Sequence, residues 1–223
     1  KFEEYDDKLG FYTPILKGFL TELGLEAANH GMQVFGGHGY IKEHGMEQIA
    51  RDARIATLYE GTTGVQALDL IGRKVLLSSK GKVVRDYTAE ILRFCGRHAP
   101  NKYMRRFAWD LTKICAQWNA LTVRLMLAAR KDRDIVSSAS VDFLMFSGYA
   151  MMAYYWAQQA AVASEKLEAG NGAETPEFYK AKIKVADFYF ERILPRTQGH
   201  AEAMVNPSKT MISLAPEHFS FDY

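Results

Sequence analysis

The chain has 223 residues, which is enough for one or two domains with a core of their own. Its formal net charge is only +2, which excludes the basic stripe of a nucleic-acid-binding protein and the polybasic segment of a membrane anchor. The two cysteines, Cys95 and Cys115, are too few for a disulfide framework and lack the spacing of a metal site. They suit a reducing compartment.

The first third of the chain shows helical spacing of apolar residues. Thr13-Pro14 matches a helix start, with a capping hydroxyl followed by proline at the first helical position. Gly36-Gly37 then ends the helix after Phe35. The pattern predicts a short helix over 46–53 and a longer one from Thr62 or Thr63 to Leu77, with a break at Gly81.

The remainder has the same character. Its apolar spacing predicts helices over Val84–Phe94, Tyr103–Arg130, Ser140–Leu167 and Phe178–Leu194. Thr175-Pro176 repeats the start signal, and the tail Asn206–Tyr223 is expected to be irregular because it contains two prolines. The apolar stretch 141–163 carries Asp142 and two glutamines, so it favours a buried helix over a membrane span.

No segment alternates like a strand, so the sequence predicts an all-α fold in which antiparallel helices form a bundle. We place a boundary near Leu77–Lys82, which divides the chain into units 1–80 and 81–223.

The segment Tyr59-Glu60-Gly61-Thr62-Thr63-Gly64 contains a single carboxylate, just before the N-terminus of a predicted helix. Held in an apolar pocket, with Leu58 and Tyr59 as candidate walls, Glu60 could act as a general base. Considered alone, such a residue is more often a solvated residue at a helix terminus.

Two further segments admit more than one interpretation. Gly36-Gly37-His38-Gly39 follows a helix and not a strand, so it is not a dinucleotide-binding fingerprint, and a helix end with a loop is the simpler interpretation. The charged residues Arg51, Asp52 and Arg54 could grip a phosphate. We favour an ion-pair network that positions the loop before Glu60.

Taken together, the segments 33–40 (QVFGGHGY), 51–54 (RDAR) and 59–66 (YEGTTGVQ) resemble the C-terminal part of acyl-CoA dehydrogenases. The resemblance covers about Thr13–Leu77, the last helices of that family's C-terminal helical domain. The rest resembles the additional helical C-terminal domain of larger bacterial members of the 3-methylmercaptopropionyl-CoA dehydrogenase type, on the segments 65–74 and 188–197.

The resemblance implies an FAD-dependent enzyme that dehydrogenates an acyl-CoA thioester to a trans-2-enoyl-CoA. It implies that Glu60 is the catalytic base, that Gly61 touches the acyl thioester, and that Thr62, Thr63 and Gly64 lie near the flavin. A second set of residues would contact the FAD of a neighbouring subunit: Gln33, Val34, Phe35, Gly36 and Gly37. Electron transfer flavoprotein is the expected electron acceptor, and the family implies a homo-oligomer that binds no nucleic acid and has no membrane span.

The family's N-terminal helical domain and middle β-domain have no counterpart in these 223 residues. We therefore expect a fragment that does not retain FAD and is inactive by itself. Two alternatives stay open, a non-catalytic helical module for oligomerisation or partner binding, and part of an acyl-CoA oxidase. In the fragment, the first helix is expected to expose Leu16, Phe19 and Leu23.

Overall fold

The computed structural model describes residues 2–219, with side chains from residue 5 onward. This part of the chain contains helices and turns and no strand, which confirms the predicted all-α fold. The α-helices are α1 (Phe2–Val34), α2 (Gly37–Tyr40), α3 (Met46–Leu58), α4 (Thr63–Leu68), α5 (Lys82–His98), α6 (Arg105–Ala128), α7 (Asp134–Ser138), α8 (Ser140–Ala169), α9 (Pro176–Phe188), α10 (Arg196–Met204) and α11 (Lys209–Ile212). Two π-helical segments, Asp69–Ser78 and Tyr189–Ile193, continue α4 and α9, and 3₁₀ turns lie at Lys42–His44 and Pro216–Phe219.

Helix α8 lies at the centre of the bundle, where α1, α4, α6, α9 and α10 pack against it. Small buried residues along α8 let these neighbours approach closely: Gly148, Ala150, Ala153, Ala157, Ala160, Ala161 and Ala163. Because several neighbours surround α8, its apolar residues are not confined to one stripe. Within residues 2–219, no helix has both the length and the apolar character needed to cross a bilayer.

Helix α1 runs through Pro14, so the predicted start at Thr13-Pro14 is wrong. A proline inside a helix removes one hydrogen bond and costs about 3 kcal/mol. The residues before it are nevertheless held in place, since Phe11 is fully buried, with its ring centroid 5.9 Å from that of Tyr87 and 6.1 Å from that of Trp118. Burying such a side chain contributes roughly 1.5–3 kcal/mol, so tertiary packing offsets the local cost.

The contact between α1 and α8 is closest where Phe19 lies against Gly148. The space that a Cβ would need at Gly148 is taken by the Phe19 ring. This ring also meets Tyr149 edge-on, with 4.9 Å between ring centroids, and Phe19 is only 1% exposed. The prediction that Phe19 lies on an exposed face is therefore wrong, because this side of α1 faces α8.

The exposed side of α1 is formed by Leu16 and Leu20, which are 50% and 41% exposed. The prediction for Leu16 is thus confirmed. Leu23 is half-buried and packs against the core, so it belongs to the covered side.

The break between the two halves of the chain is a tight turn. Gly81 has φ +79° and precedes α5, as the sequence predicted. The π-helical segment before it ends with a hydrogen bond of 3.3 Å from the N–H of Ser79 to the carbonyl of Lys74. One hydrophobic core runs from Phe11 to Met204 on both sides of this turn. The division into units 1–80 and 81–223 stays a prediction.

The start signal at Thr175-Pro176 is confirmed, because the Thr175 hydroxyl oxygen accepts a hydrogen bond of 3.3 Å from the N–H of Phe178. The tail is more regular than predicted, since α11 and the turn at 216–219 each form one helical turn. Residues 220–223 of the predicted irregular tail lie outside the described residues.

A bidentate ion pair connects the C-terminal half of the chain to α1. The Arg196 Nη1 and Nη2 atoms lie 2.8 and 2.7 Å from the two carboxylate oxygens of Glu26. This hydrogen bonding lowers the pKa of Glu26, and Arg196 also donates to the Tyr149 hydroxyl at 3.2 Å. The ion pair connects α1, about two turns before Gln33, to the first residue of α10.

We expect Phe19→Ala to lower the free energy of unfolding by about 3–5 kcal/mol, because it removes a buried ring that the surrounding helices cannot replace. Leu16→Ala on the exposed side of the same helix is the matched control and should change it by about 0.5 kcal/mol or less. Urea unfolding monitored by circular dichroism measures both. Equal losses in the two variants would contradict the assigned orientation of α1.

Candidate functional site

The loop Tyr59–Thr62 joins the C-terminus of α3 to the N-terminus of α4. The N–H of Tyr59 donates to the carbonyl of Ile55 at 3.1 Å and closes α3, and the N–H of Gln66 donates to the carbonyl of Thr62 at 3.0 Å and opens α4. The predicted start of this helix is confirmed. The loop therefore lies between a helix end with partial negative charge and one with partial positive charge.

Glu60 is exposed, and its neighbours Leu58 and Tyr59 are both about half-exposed, at 51% and 57%. The side chains that sequence analysis proposed as an apolar pocket thus do not enclose the carboxylate. The N–H groups of Glu60, Gly61 and Thr62 find no acceptor within the described part of the chain. A carboxylate beside unpaired N–H donors can take a proton from a substrate whose carbonyl oxygen gains negative charge.

Gly61 has a backbone conformation that suits only glycine without strain. Its φ is +77°, the left-handed region that other residues rarely adopt. A Cβ at this position would also collide with the side-chain amide of Gln66. Gln66 therefore covers one side of the loop and leaves the other side open.

Lys17 of α1 holds the beginning of the loop. Its Nζ atom lies 2.5 Å from the carbonyl oxygen of Ala56 and 3.5 Å from that of Tyr59. The same ammonium group lies 4.8 Å from the centre of the Tyr59 ring. It thus supplies donors to carbonyl groups that the end of α3 leaves unpaired.

Glu22, further along α1, holds the end of the loop. Its Oε1 atom accepts a hydrogen bond of 2.5 Å from the hydroxyl of Thr63, the first residue of α4. Three residues were predicted to lie near the flavin. Thr63 is already hydrogen-bonded within the chain, while Thr62 is exposed and its side chain makes no capping hydrogen bond. Gly64 has open space where a Cβ would lie.

The segment Gln33–Gly37 forms an open end of α1. Gln33, Val34 and Phe35 are all exposed, and Gly36 has φ +60°. Open space surrounds the positions that a Cβ would take at Gly36 and Gly37. A cleft of about 480 Å³ lies here, lined by Asn29, Met32, Gln33, Gly36, Gly37 and Tyr40. The backbone of the two glycines is thus accessible to a ligand.

The Glu60 loop and the Gln33–Gly37 segment lie at opposite ends of an antiparallel pair of helices. Lys17 of α1 reaches the last turn of α3, while a Cβ on Gly31 would lie 2.9 Å from Cε of Met46, the first residue of α3. Helix α3 has 13 residues, so about 20 Å separates its two ends. The chain therefore does not bring the two predicted groups of site residues together.

The charged residues before the loop do not form the predicted ion-pair network. Asp52 accepts a hydrogen bond of 2.7 Å from Gln48, and Arg54 donates to the hydroxyl of Thr57 at 3.0 Å. Within residues 2–219, neither Arg51 nor Arg54 pairs with a carboxylate. The prediction is wrong because Asp52 pairs one turn back along the exposed side of α3, while Arg54 holds the buried Thr57. The phosphate contact stays a prediction.

The two cysteines lie in the core, away from the loop that carries Glu60. In the described residues, no three side chains of His, Cys, Asp or Glu are grouped closely enough to hold a metal ion. Cys95 and Cys115 are free and buried, and burial raises the pKa of both thiols, to about 12 for Cys115. Both thiols thus stay protonated and unreactive at neutral pH.

The sequence did not predict the contacts of three side chains that meet the loop or the helix ends beside it, Lys17, Glu22 and Gln66. The two charged residues stand among the apolar residues of α1, between Ile15 and Leu23, which is a weak signal that they meet polar groups of another segment. Their partners are about forty residues away, so local spacing could not identify them.

Two family models match the chain. The model described as "Acyl-CoA dehydrogenase, C-terminal domain" matches residues 3–76, and the one described as "Acetyl-CoA dehydrogenase C-terminal like" matches residues 87–215. Among curated proteins, the 3-methylmercaptopropionyl-CoA dehydrogenase of Ruegeria pomeroyi is 37% identical over 91% of this chain and 34% of its own length. The broad-specificity linear acyl-CoA dehydrogenase of Mycobacterium tuberculosis is 34% identical over 82% of this chain and 31% of its own length.

A butyryl-CoA dehydrogenase of Syntrophomonas wolfei is 27% identical over 97% of this chain and 35% of its own length. The chain thus spans about a third of the length of these curated relatives.

We expect Gly61→Ala to lower the free energy of unfolding by about 1–2 kcal/mol, because alanine must adopt a left-handed conformation and displace the Gln66 amide. Gly64→Ala is the matched control, since its new methyl group meets open space in the first turn of α4 and should be neutral or slightly stabilising. Urea unfolding of the two variants measures the difference. A Gly61→Ala variant as stable as Gly64→Ala would contradict the assigned loop conformation.

Proposed function

Because the chain belongs to the acyl-CoA dehydrogenase family, we propose that the longer protein dehydrogenates an acyl-CoA thioester and that Glu60 is its general base. The product is a trans-2-enoyl-CoA. The observation that supports this role is the exposed Glu60 carboxylate next to backbone N–H groups that have no acceptor within residues 2–219. Within the same residues no cation forms an ion pair with Glu60, so the carboxylate is free to accept a proton.

The proposed chemistry assigns a separate task to each part of the loop. The Glu60 carboxylate takes the proton from the substrate α-carbon, and the electron pair of that C–H bond forms the new double bond as a hydride leaves the β-carbon. The N–H of Glu60 donates to the thioester oxygen, which gains negative charge. Gly61 has no side chain and leaves room for the thioester. Bound FAD supplies the hydride acceptor.

The open end of α1 fits contact with FAD. The accessible backbone of Gly36 and Gly37 and the exposed amide of Gln33 offer polar groups to such a ligand, with Val34 and Phe35 beside them. At the other end of the helix pair, Thr62, Thr63 and Gly64 lie next to the proposed base. Since about 20 Å separates the two ends, we propose that they contact FAD molecules of different subunits in a homo-oligomer.

The relatives differ in the acyl group that their names specify, a methylmercaptopropionyl, a linear acyl or a butyryl group. The substrate proposed here is therefore the acyl-CoA class and no single member of it. Electron transfer flavoprotein is the proposed electron acceptor. The proposed compartment is the cytoplasm of a bacterium, or the mitochondrial matrix if the source is eukaryotic.

In the full-length enzyme, Glu60→Gln should lower kcat by at least about 10²–10⁴-fold while FAD stays bound, since the amide keeps the shape and cannot take the α-proton. Glu47→Gln, in the first turn of α3 at its other end, is the matched control and should keep wild-type turnover. Steady-state kinetics and the flavin absorbance spectrum give the two readouts. A Glu60→Gln enzyme with more than about a tenth of wild-type turnover would place the base elsewhere.

A second candidate function, oligomerisation by a non-catalytic helical module, is favoured by one surface. Leu16 and Leu20, one turn apart on α1 and both exposed, form this apolar face. Further exposed apolar side chains lie on α3 and α4: Ile49, Ile55, Leu58, Val65 and Leu68. Extended apolar surfaces of this kind mark sites of association. The same face serves either function, so association by itself does not separate the two.

The 223-residue chain is expected to be a flavin-free dimer or larger species at tens of micromolar, because the apolar face favours association and the partial site offers too few contacts to hold FAD. Light scattering and the absorbance spectrum test this. Leu16→Glu combined with Leu20→Glu should give a monomer, while Trp109→Glu at an exposed position of α6 should not. A wild-type monomer would contradict the proposed association, and stoichiometric FAD would show that the chain binds flavin by itself.

A further inference from the structure

Two charged side chains of one helix hold the loop that carries Glu60. We propose that Lys17 and Glu22 are positioning residues, which fix the backbone on either side of Glu60 and thereby aim its carboxylate and its N–H. The catalytic consequence rests on the proposed function. We call the two contacts, Lys17 with the carbonyls of Ala56 and Tyr59 and Glu22 with the Thr63 hydroxyl, the clasp. The clasp is a property of the folded chain, so it can be tested without an assay of enzyme activity.

The Lys17 half of the clasp is a capping interaction between two different helices. The last carbonyl groups of α3 have no partner within that helix, and the carbonyl of Ile55 is satisfied by the N–H of Tyr59. Lys17 donates to the next carbonyl, that of Ala56, at 2.5 Å, and reaches the carbonyl of Tyr59 at 3.5 Å. Its positive charge also complements the partial negative charge of the helix end.

The Glu22 half has the opposite polarity. Its carboxylate accepts a hydrogen bond of 2.5 Å from the Thr63 hydroxyl, so a negative charge lies at the first residue of α4, where the helix end is partially positive. The two charges of α1 therefore match the two helix ends that they meet. Exchanging the lysine and the glutamate would make both interactions repulsive.

The consequence for the loop is that both of its ends are tied to the same rigid helix. The Lys17 contact with Tyr59 lies just before Glu60, and the Glu22 contact with Thr63 lies just after the three unpaired N–H groups. Lys17 directs its ammonium group to backbone carbonyls and forms no ion pair with Glu60 within the described residues. The base is thus positioned by a cation that does not pair with it.

Small residues allow this approach. A Cβ on Gly18 would lie 2.6 Å from the Leu144 side chain and 3.3 Å from Cβ of Gln66. Because Gly18 has no side chain, α1 lies close to α4 and α8 at the level of the clasp. Lys17 and Glu22 of α1 can therefore reach the backbone of the loop on one side and the start of α4 on the other.

The first test uses hydrogen exchange in the 223-residue chain. Lys17→Met should increase amide exchange at Tyr59 and in the last turn of α3 by about tenfold or more, the effect of losing a charge-assisted hydrogen bond. Exchange in α5 and α6 should not change. Lys8→Met is the matched control, because Lys8 lies on the same helix and pairs with Glu90 at 3.4 Å, away from the loop. Lys17→Arg should keep most of the protection.

The second test uses the full-length enzyme. Lys17→Met should lower kcat by about 10–100-fold, since small displacements of a catalytic group have effects of this size. KM should stay within about threefold and the FAD content should be that of the wild type. Glu22→Leu should act in the same direction, while Glu22→Gln keeps an acceptor for Thr63 and should retain more activity. Glu202→Gln, at an exposed position of α10, is the control for the loss of a carboxylate.

The outcomes separate this proposal from the proposed function. Unchanged exchange at Tyr59 in Lys17→Met would overturn the clasp, even if the wild-type enzyme is active. If Lys17→Met raises amide exchange at Tyr59 but leaves kcat of the full-length enzyme unchanged, the positioning role would be overturned. Raised exchange in a protein whose wild type dehydrogenates no acyl-CoA would reject the proposed function and leave the clasp supported. If Lys17→Met does not fold, Glu22→Leu and Lys17→Arg decide the same questions.

Discussion

The close contact between α1 and α8 is the constraint on which the rest of the structure depends. Phe19 occupies the space that Gly148 leaves open, and Gly18 lets α1 lie against Leu144. A larger side chain at either glycine would push the two helices apart. Because α3 and α4 pack in turn on α1, the position of α1 determines where both helix ends around Glu60 lie. Packing in the core is thus transmitted directly to the candidate site.

Helix α1 serves as a scaffold in an electrostatic sense as well. It presents a positive group, Lys17, to the end of α3 and a negative group, Glu22, to the start of α4. Each charge stabilises the helix end that it meets. Within the described residues, the proposed base between them forms no ion pair with a cation.

The two ends of the antiparallel pair α1 and α3 carry different groups of proposed site residues. The Glu60 loop lies at one end and Gln33–Gly37 lies at the other, about 20 Å away. The C-terminal half of the chain supports the second end through the Arg196–Glu26 ion pair. None of the proposed site residues lies in this half of the chain.

The sequence by itself determined the all-α class, the helix start at Thr175-Pro176, the turn at Gly81 and the loop around Glu60, because each follows from backbone preferences of neighbouring residues. The fold class was predictable in this way, whereas the proposed site residues were assigned from the resemblance to a known family, because Glu60 considered alone is more often a solvated residue at a helix terminus. Tertiary structure decided that α1 continues through Pro14, that Phe19 is buried, and that Lys17 and Glu22 hold the loop. These outcomes depend on contacts between residues that are far apart in the chain, whose free energies exceed local preferences and leave no local pattern.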